Sequence, residues 1–398
     1  MRNRTVLISG GGIAGPALAF WLRRYGFAVT VVERAPGPRP GGQLVDVRGT
    51  AREVVDRMGL TDRIRAECVH EQGMAYVDAR GRVRARMPVH AFAGEGIVAD
   101  IEIERGDLAR ILYEETRDRV EYLFDDSIDT LTQDADGVRV TFDRSAPRTV
   151  DLVIGADGSH SHTRALAFGP ESAYARPLGA YLAYFGTPYP ARDGWFTLHN
   201  APGARVIGTR PTRHGTSSVL VSFAASELDV DRGDRAAQQR LVAARFADVG
   251  WRAGELLAAM ADAADFYFDR YAQVRMDSWH TGRVALLGDA AWCPSPLTGQ
   301  GTSLALVGAY VLAGELAAAG GDHRVGYRRY EQALRAHVTK GQEIPGGGVG
   351  GFLPAGRTAI RLRDASMRAL TSRPLRGLAT RLFFSHADGL TLPEYAAG

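Results

Sequence analysis

The sequence predicts an α/β fold: a parallel sheet built around a dinucleotide-type turn, an inserted antiparallel sheet, and C-terminal helices. Three observations predict it. The apolar run Thr5–Ser9 (TVLIS) leads through a glycine turn and an Ala/Leu-rich stretch into a second apolar run, Ala28–Glu33 (AVTVVE), which is the strand–turn–helix–strand order of a parallel sheet. Two later runs, VDLVIG at 150–155 and VALL at 284–287, have the same buried-strand character, and Gly and Asp follow each of them. Between them, short runs punctuated by Gly and Pro read as an antiparallel sheet.

Along the chain, residues 16–25 form the first helix and Gly26 ends it. Residues 36–49 are rich in Pro and Gly and read as a loop. Helical turns follow at 53–57 and 62–67, then a hairpin of 74–77 and 83–87 around Arg80-Gly81. Arg105 precedes a helix at 107–117, and Glu121–Phe124 and Val138–Phe142 are strands. The middle third offers strands at 181–186, 195–199, 205–209 and 217–223, then helices at 236–246 and 253–260. After the strand at 284–287, helices are expected at 303–319 and 324–337.

Composition narrows the class. At 398 residues the chain is long enough for two domains, and 45% hydrophobic residues is ordinary for a globular protein. The net charge of +3 is small and its basic residues are scattered, which argues against nucleic-acid or stable membrane association. Lys340 is the only lysine, a bias without chemical content. Cys68 and Cys293 are too few for a disulfide framework and lack metal-type spacing, so no metal site is expected. The apolar stretch 303–319 contains Gly308, Gly314 and Glu315 and reads as a buried helix. A strand pattern begins at once, leaving no room for a signal peptide, so the reducing cytoplasm is the expected location; a monomer or homodimer is the expected assembly.

The first motif is Gly10-x-Gly12-x-x-Gly15. Gly10 permits the tight turn, Gly12 lets a pyrophosphate approach, and Gly15 allows close packing of helix and sheet. The helix that opens there offers bare amides to phosphate. Glu33 ends the next strand, 18 positions after Gly15, where a carboxylate can bind ribose hydroxyls. A formal repeat of the glycine spacing, GGGVGG at 346–351, has no strand before it and reads as a mobile loop. The second motif is Gly155-Ala156-Asp157-Gly158-Ser159, with Arg164 close behind; Asp157 fits either a phosphate turn or a helix cap. The third is ALLGDAAWCPSPLTGQG at 285–301. Asp289 at a strand end suits ribityl hydroxyls. The Pro-containing loop, with Pro296 and Gly299, would cross a flavin ring, and Gly301, Thr302 and Ser303 would start a helix facing the pyrimidine edge. Two contact surfaces for one long ligand point to FAD and a redox enzyme.

In this order and at these separations, the three motifs resemble the para-hydroxybenzoate hydroxylase-like group of class A FAD-dependent monooxygenases. They most resemble its tetracycline-inactivating and polyketide-tailoring branch, over most of residues 5–340. The resemblance implies a Rossmann-like FAD-binding domain of the GR2 type from residues 1–72, 97–175 and 270–340. A substrate sheet would come from 73–96 and 176–269, with a C-terminal loop and helical segment at 341–398. It implies FAD contacts at Gly10, Gly12, Ala14, Gly15, Glu33, Arg34, Asp289 and, in IERGDLARIL, Arg105. Asp157 would serve both FAD and NAD(P)H use, with NADPH or NADH a transient reductant lacking its own domain. Trp292 and Ser303 stand where many relatives carry His and Asn.

The reaction implied is reduction of the flavin, formation of a C4a-hydroperoxide with O2, and transfer of one oxygen to an aromatic or polyketide-like substrate. No catalytic side chain is required, because the cofactor carries the chemistry. Tyr184, His199, Arg210 and Trp292 are candidates for the substrate cavity, and Cys293 reads as a small buried hydrophobe. A dehydrogenase, oxidase or reductase on the same fold, and a binding protein without turnover, are the alternatives.

Overall fold

The computed structural model describes residues 2–89, 101–191, 194–372, 374 and 390–396. The ends of the expected segments 73–96 and 341–398, and the start of 97–175, fall partly outside these residues. A six-stranded sheet forms the first layer, in the order His280–Thr281, Val284–Leu286, Leu152–Gly155, Thr5–Ser9, Ala28–Glu33, Glu121–Phe124. All its pairings are parallel except that of the short edge strand His280–Thr281. Its central strands are buried on both faces, which is why they read as unbroken apolar runs.

Helices Ala14–Arg24 and Gly301–Ala318 cover this sheet. Among the described residues, Gly301–Ala318 is the helix long and apolar enough to cross a membrane. It is instead a core helix, buried almost all round. Its glycines are contact points: a Cβ on Gly308 would meet the Trp292 indole at 2.9 Å, and one on Gly314 would lie 2.1 Å from the Tyr395 ring. The C-terminal stretch around Tyr395 therefore packs onto this helix, with the Tyr310 hydroxyl donating to the Pro393 carbonyl at 2.7 Å.

The second sheet has seven strands, in the order Tyr267–Val274, Ala175–Thr187, Ser217–Ala224, Arg205–Pro211, Trp195–Ala201, Gly73–Val77, Val83–Pro88. It is antiparallel apart from the join of Trp195–Ala201 to the far earlier strand Gly73–Val77, which is parallel. Strand Tyr267–Val274 was not anticipated, and it runs across the expected domain limit at 270. The sheet's two faces differ. Tyr76, Leu182, Phe196, Leu198 and Leu220 share one face with Leu297 of the Pro-containing loop and with helix Arg357–Thr371. Ala183, Ile207, Val221 and Phe223 back onto helices Arg235–Phe246 and Ala253–Asp262.

Two further small sheets depart from the expectation. Ile128–Gln133 joins Val138–Phe142 and Arg148–Val150. Within the supposed loop 36–49, Leu44–Asp46 pairs with Glu102–Glu104 as an antiparallel ribbon. The repeat at 346–351 is a tight turn into the short helix Gly348–Phe352, not a free loop. Asn200 Nδ2 donates to the Phe352 carbonyl at 3.0 Å, anchoring it to the second sheet.

Candidate cofactor and substrate site

Strand order reverses at Thr5–Ser9, which has Ala28–Glu33 on one side and Leu152–Gly155 on the other. Ligands of open α/β sheets bind outside the carboxyl ends of strands at such a point. The first two motifs leave adjacent strand ends there, and backbone hydrogen bonds tie all three together: Ala156 N–H donates to the Ser9 carbonyl at 2.7 Å, and Leu287 N–H to the Gly155 carbonyl at 2.8 Å. Gly10 has φ +110, and a Cβ there would lie 2.4 Å from the Ala156 carbonyl oxygen, so the turn requires glycine. A Cβ on Gly15 would lie 1.9 Å from the Gly10 carbonyl oxygen, so Gly15 closes the turn itself. Helix Ala14–Arg24 starts with no side-chain cap, leaving its first amides for a ligand.

Glu33 sits beside this turn. Its Oε2 accepts from Gly11 N–H at 2.7 Å and its Oε1 from Ala35 N–H at 2.9 Å. Arg34, the next residue, is exposed, whereas Arg39 approaches Glu33 to 3.6 Å. Arg105 reaches in from the start of helix Arg105–Thr116. A Cβ on Gly12 would stand 3.2 Å from its Nη2. The guanidinium has no hydrogen-bond acceptor among the described residues. Burial lowers its pKa, aided by Arg39 and opposed by Asp289 and Glu33. A desolvated cation without an acceptor, set over bare helix amides, fits an anionic ligand. Gly11, Gly12, Glu33, Gly37 and Arg105 line one cleft.

Asp157 is fully engaged. One oxygen accepts from Thr163 N–H and Thr163 Oγ1, both at 2.9 Å, and from Ser9 Oγ at 3.4 Å; the other accepts from Ser161 Oγ. It therefore supports the first turn of helix His162–Phe168, whose N-cap is Ser161 with Oγ accepting from Arg164 N–H at 2.9 Å, and ties that helix to the first strand. Arg164, buried, donates to the carbonyls of Ala290 at 2.9 Å and Ser159 at 2.7 Å, pinning the second motif to the third.

In the third motif, Gly288 has φ +64 and turns the chain so that Asp289 begins the short helix Asp289–Trp292. Burial pushes the Asp289 carboxyl up and Arg105 pulls it down, placing the two in one electrostatic neighbourhood. The following loop is strained at Ser295 (φ 77, ψ 145). Pro296 favours that ψ, but the positive φ is rare outside glycine. Pro296 is exposed, and Gly299 closes the turn with φ +64. A Cβ on Gly301 would lie 3.6 Å from Asp289 Oδ1, and helix Gly301–Ala318 begins, with Thr302 in its first turn, without a side-chain cap. Ser303 Oγ accepts from Arg48 N–H at 2.9 Å and donates to the Asp46 carbonyl at 3.2 Å, so it serves the ribbon.

The substrate-cavity candidates divide. Register aligns Tyr184 with Leu220, Gly208, Leu198 and Tyr76 in one row, and Arg210 lies two residues beyond Gly208. Tyr184 and Arg210 thus occupy the face that meets Leu297. Arg210 is not free: it donates to Glu71 at 2.8 Å and to Glu102, and its guanidinium lies 4.9 Å from the Phe196 ring centroid. His199 is corrected. It aligns with Ile207 and Val221 on the opposite face, and its Nδ1 lies 3.0 Å from the Val77 carbonyl oxygen. Trp292 is corrected as well. It is only 1% exposed, 4.4 Å from the Trp279 ring centroid and packed on Gly308, in the core behind the loop. Cys293 is buried, and burial drives its thiol well above the ordinary range, as suits a small buried hydrophobe. Asp46, Glu71 and Glu102, which gather around Arg48 and Arg210, were not singled out in the sequence; the alternation in EIE at 102–104 bears on Glu102 alone.

A family model described as "FAD binding domain" matches residues 3–340. The chain is 46% identical over 352 residues to an uncharacterized protein of Mycobacterium tuberculosis, covering 86% of this chain and 94% of that one. It is 36% identical over 399 residues to a flavin-dependent monooxygenase of Legionella longbeachae, covering 99% of each. Among solved structures, the tetracycline destructase Tet(55) superposes with a TM-score of 0.80 at 36% identity over 99% of both chains. This chain belongs to the class A FAD-dependent monooxygenases.

Proposed function

We propose that this monooxygenase inserts one oxygen atom from O2 into an aromatic or polyketide-like small molecule, with NADPH or NADH as the transient reductant. The observation that carries this reading is that the loop following Asp289, which shares an electrostatic neighbourhood with Arg105, packs its Leu297 onto a largely apolar sheet face bearing Tyr184, Phe196 and Leu220. Gly10, Gly12, Ala14 and Gly15 would receive the pyrophosphate, Arg105 would neutralise it, and Glu33 and Asp289 would take ribose and ribityl hydroxyls. When bound, FAD supplies hydride acceptance from NAD(P)H and activation of O2. The uncapped start of helix Gly301–Ala318 would stabilise negative charge at the ring's pyrimidine edge. With the flavin bound, Leu297 and the sheet face it packs on would exclude water from the reacting centre.

A relative supports the substrate class: a protein sharing this fold at 36% identity is a tetracycline destructase. A reducing, cytoplasmic setting suits two buried thiols and a need for NAD(P)H. The test is to screen flat aromatic and fused-ring compounds for stimulation of NAD(P)H oxidation by the yellow protein. Stimulation by a fused-ring or phenolic compound, with consumption of O2, is expected. Stimulation confined to non-aromatic compounds would contradict the substrate class.

A further inference from the structure

The ribbon of Leu44–Asp46 and Glu102–Glu104 sets two carboxylates face to face. Its register pairs Asp46 directly with Glu102. Like charges opposed across a β pair repel. One oxygen of each acid has a cationic partner: Asp46 Oδ2 lies 2.9 Å from Arg48 Nη2, and Glu102 Oε1 accepts from Arg210. The other two, Asp46 Oδ1 and Glu102 Oε2, are buried and meet no donor among the described residues. Two ionised carboxylates cannot satisfy each other, whereas one proton between them satisfies both oxygens. Among the described residues, Asp46, Glu71 and Glu102 gather around Arg48 and Arg210.

The cluster lies where three parts of the site meet. A Cβ on Gly299 would lie 3.1 Å from Asp46 Oδ2, so the acid touches the loop assigned to the flavin ring. Arg210 stands on the substrate face beside Tyr184, whose hydroxyl feels both Arg210 and Asp46. We propose that Asp46 and Glu102 share one proton across the ribbon, and that this pair positions Arg210 and the loop at Gly299 relative to each other. The inference rests on the monooxygenase reading only in naming what the loop covers.

Burial pushes the Glu102 carboxyl well above the ordinary carboxylate range; Arg210 opposes this, and Glu71 and Asp46 add to it. The groups facing the pair are Arg48 on the ribbon, Glu71, and Arg210 and Tyr184 on the sheet. The loop at 294–300 brings no charged side chain. A pKa raised on folding stabilises the protein fully below the unfolded value, and that stabilisation is lost as pH rises through the folded value.

The experiment uses the FAD-loaded protein and the isosteric variants Glu102→Gln and Asp46→Asn, each of which supplies an amide donor in place of the shared proton. In infrared difference spectra at neutral pH, the wild type should show a protonated-carboxyl carbonyl band that both variants lack. Absence of the band in the wild type, or its persistence in either variant, overturns the shared proton. On raising the pH, the visible band of bound flavin should shift in the wild type and stay fixed in Glu102→Gln. Identical titrations in the two proteins overturn the positioning role. Neither readout depends on oxygen insertion, so failure here leaves the monooxygenase reading intact, and failure of that reading leaves the pair intact.

Discussion

Arg105 stands over Gly12, its Nη2 3.2 Å from the point a Cβ would occupy, and it has no acceptor among the described residues. We propose that the glycine and the cation are two halves of one anion site. Charge-assisted hydrogen bonds of this kind contribute about 1.5–3 kcal/mol each. Arg105→Ala should therefore raise the FAD Kd by roughly 10- to 100-fold, as measured by quenching of flavin fluorescence. Arg105→Lys should recover part of the loss. An unchanged Kd in the alanine variant would remove Arg105 from the cofactor site.

Gly12 and Gly10 should fail differently. A side chain on Gly12 meets only the flexible end of Arg105, so Gly12→Val should fold and yet be colourless. Gly10→Ala places a Cβ 2.4 Å from the Ala156 carbonyl oxygen at φ +110, so it should lower the melting temperature of the apoprotein. Circular dichroism melts beside flavin absorbance separate the two effects. A yellow Gly12→Val protein would contradict the pyrophosphate assignment.

Asp157 accepts from Thr163 N–H in the first turn of helix His162–Phe168 and from the hydroxyl of Ser161, which caps it, and losing such support at a helix start costs about 1–2 kcal/mol. Asp157→Ala should lower thermal stability by that amount, with Asp157→Asn intermediate. The resemblance assigned Asp157 a part in NAD(P)H use. A raised KM for the nucleotide with an unchanged melting temperature would favour that role over support of the helix start.

His160 gives a pH signature. Burial lowers its pKa, but hydrogen bonds to Asp269 and Glu171, at 2.8 and 2.9 Å, outweigh that and raise it to about 9. A histidine raised on folding stabilises the protein fully below about 6.5, and the effect fades as pH rises through the folded value. The melting temperature should therefore fall between pH 6.5 and 9, and His160→Gln should flatten that fall. Parallel curves for the two proteins would show that the Glu171–His160–Asp269 bridge is not formed in solution.

The parallel sheet and its glycine turn were legible because buried strands and tight turns leave little choice of residue: Thr5–Ser9 and Ala28–Glu33 stand where their composition put them. Strands Ile128–Gln133 and Tyr267–Val274 were not, because each has an exposed side that admits polar residues. The ribbon of Leu44–Asp46 escaped notice because three residues in a Gly/Pro-rich stretch acquire strand character only from a distant partner, Glu102–Glu104. His199 shows the limit for site residues. A one-residue step along a strand reverses the face, and sequence alone did not fix the parity. Trp292 shows another: closeness to a motif in sequence does not tell whether a side chain faces the ligand or the core.

The central claim is oxygen insertion. It is tested most directly by turnover under 18O2, with NAD(P)H and a ligand that stimulates its oxidation, followed by mass spectrometry of the product. One 18O atom in the product is the result this account requires. Turnover that leaves the ligand's oxygen content unchanged, with O2 reduced only to hydrogen peroxide, would instead make the protein an oxidase on this fold.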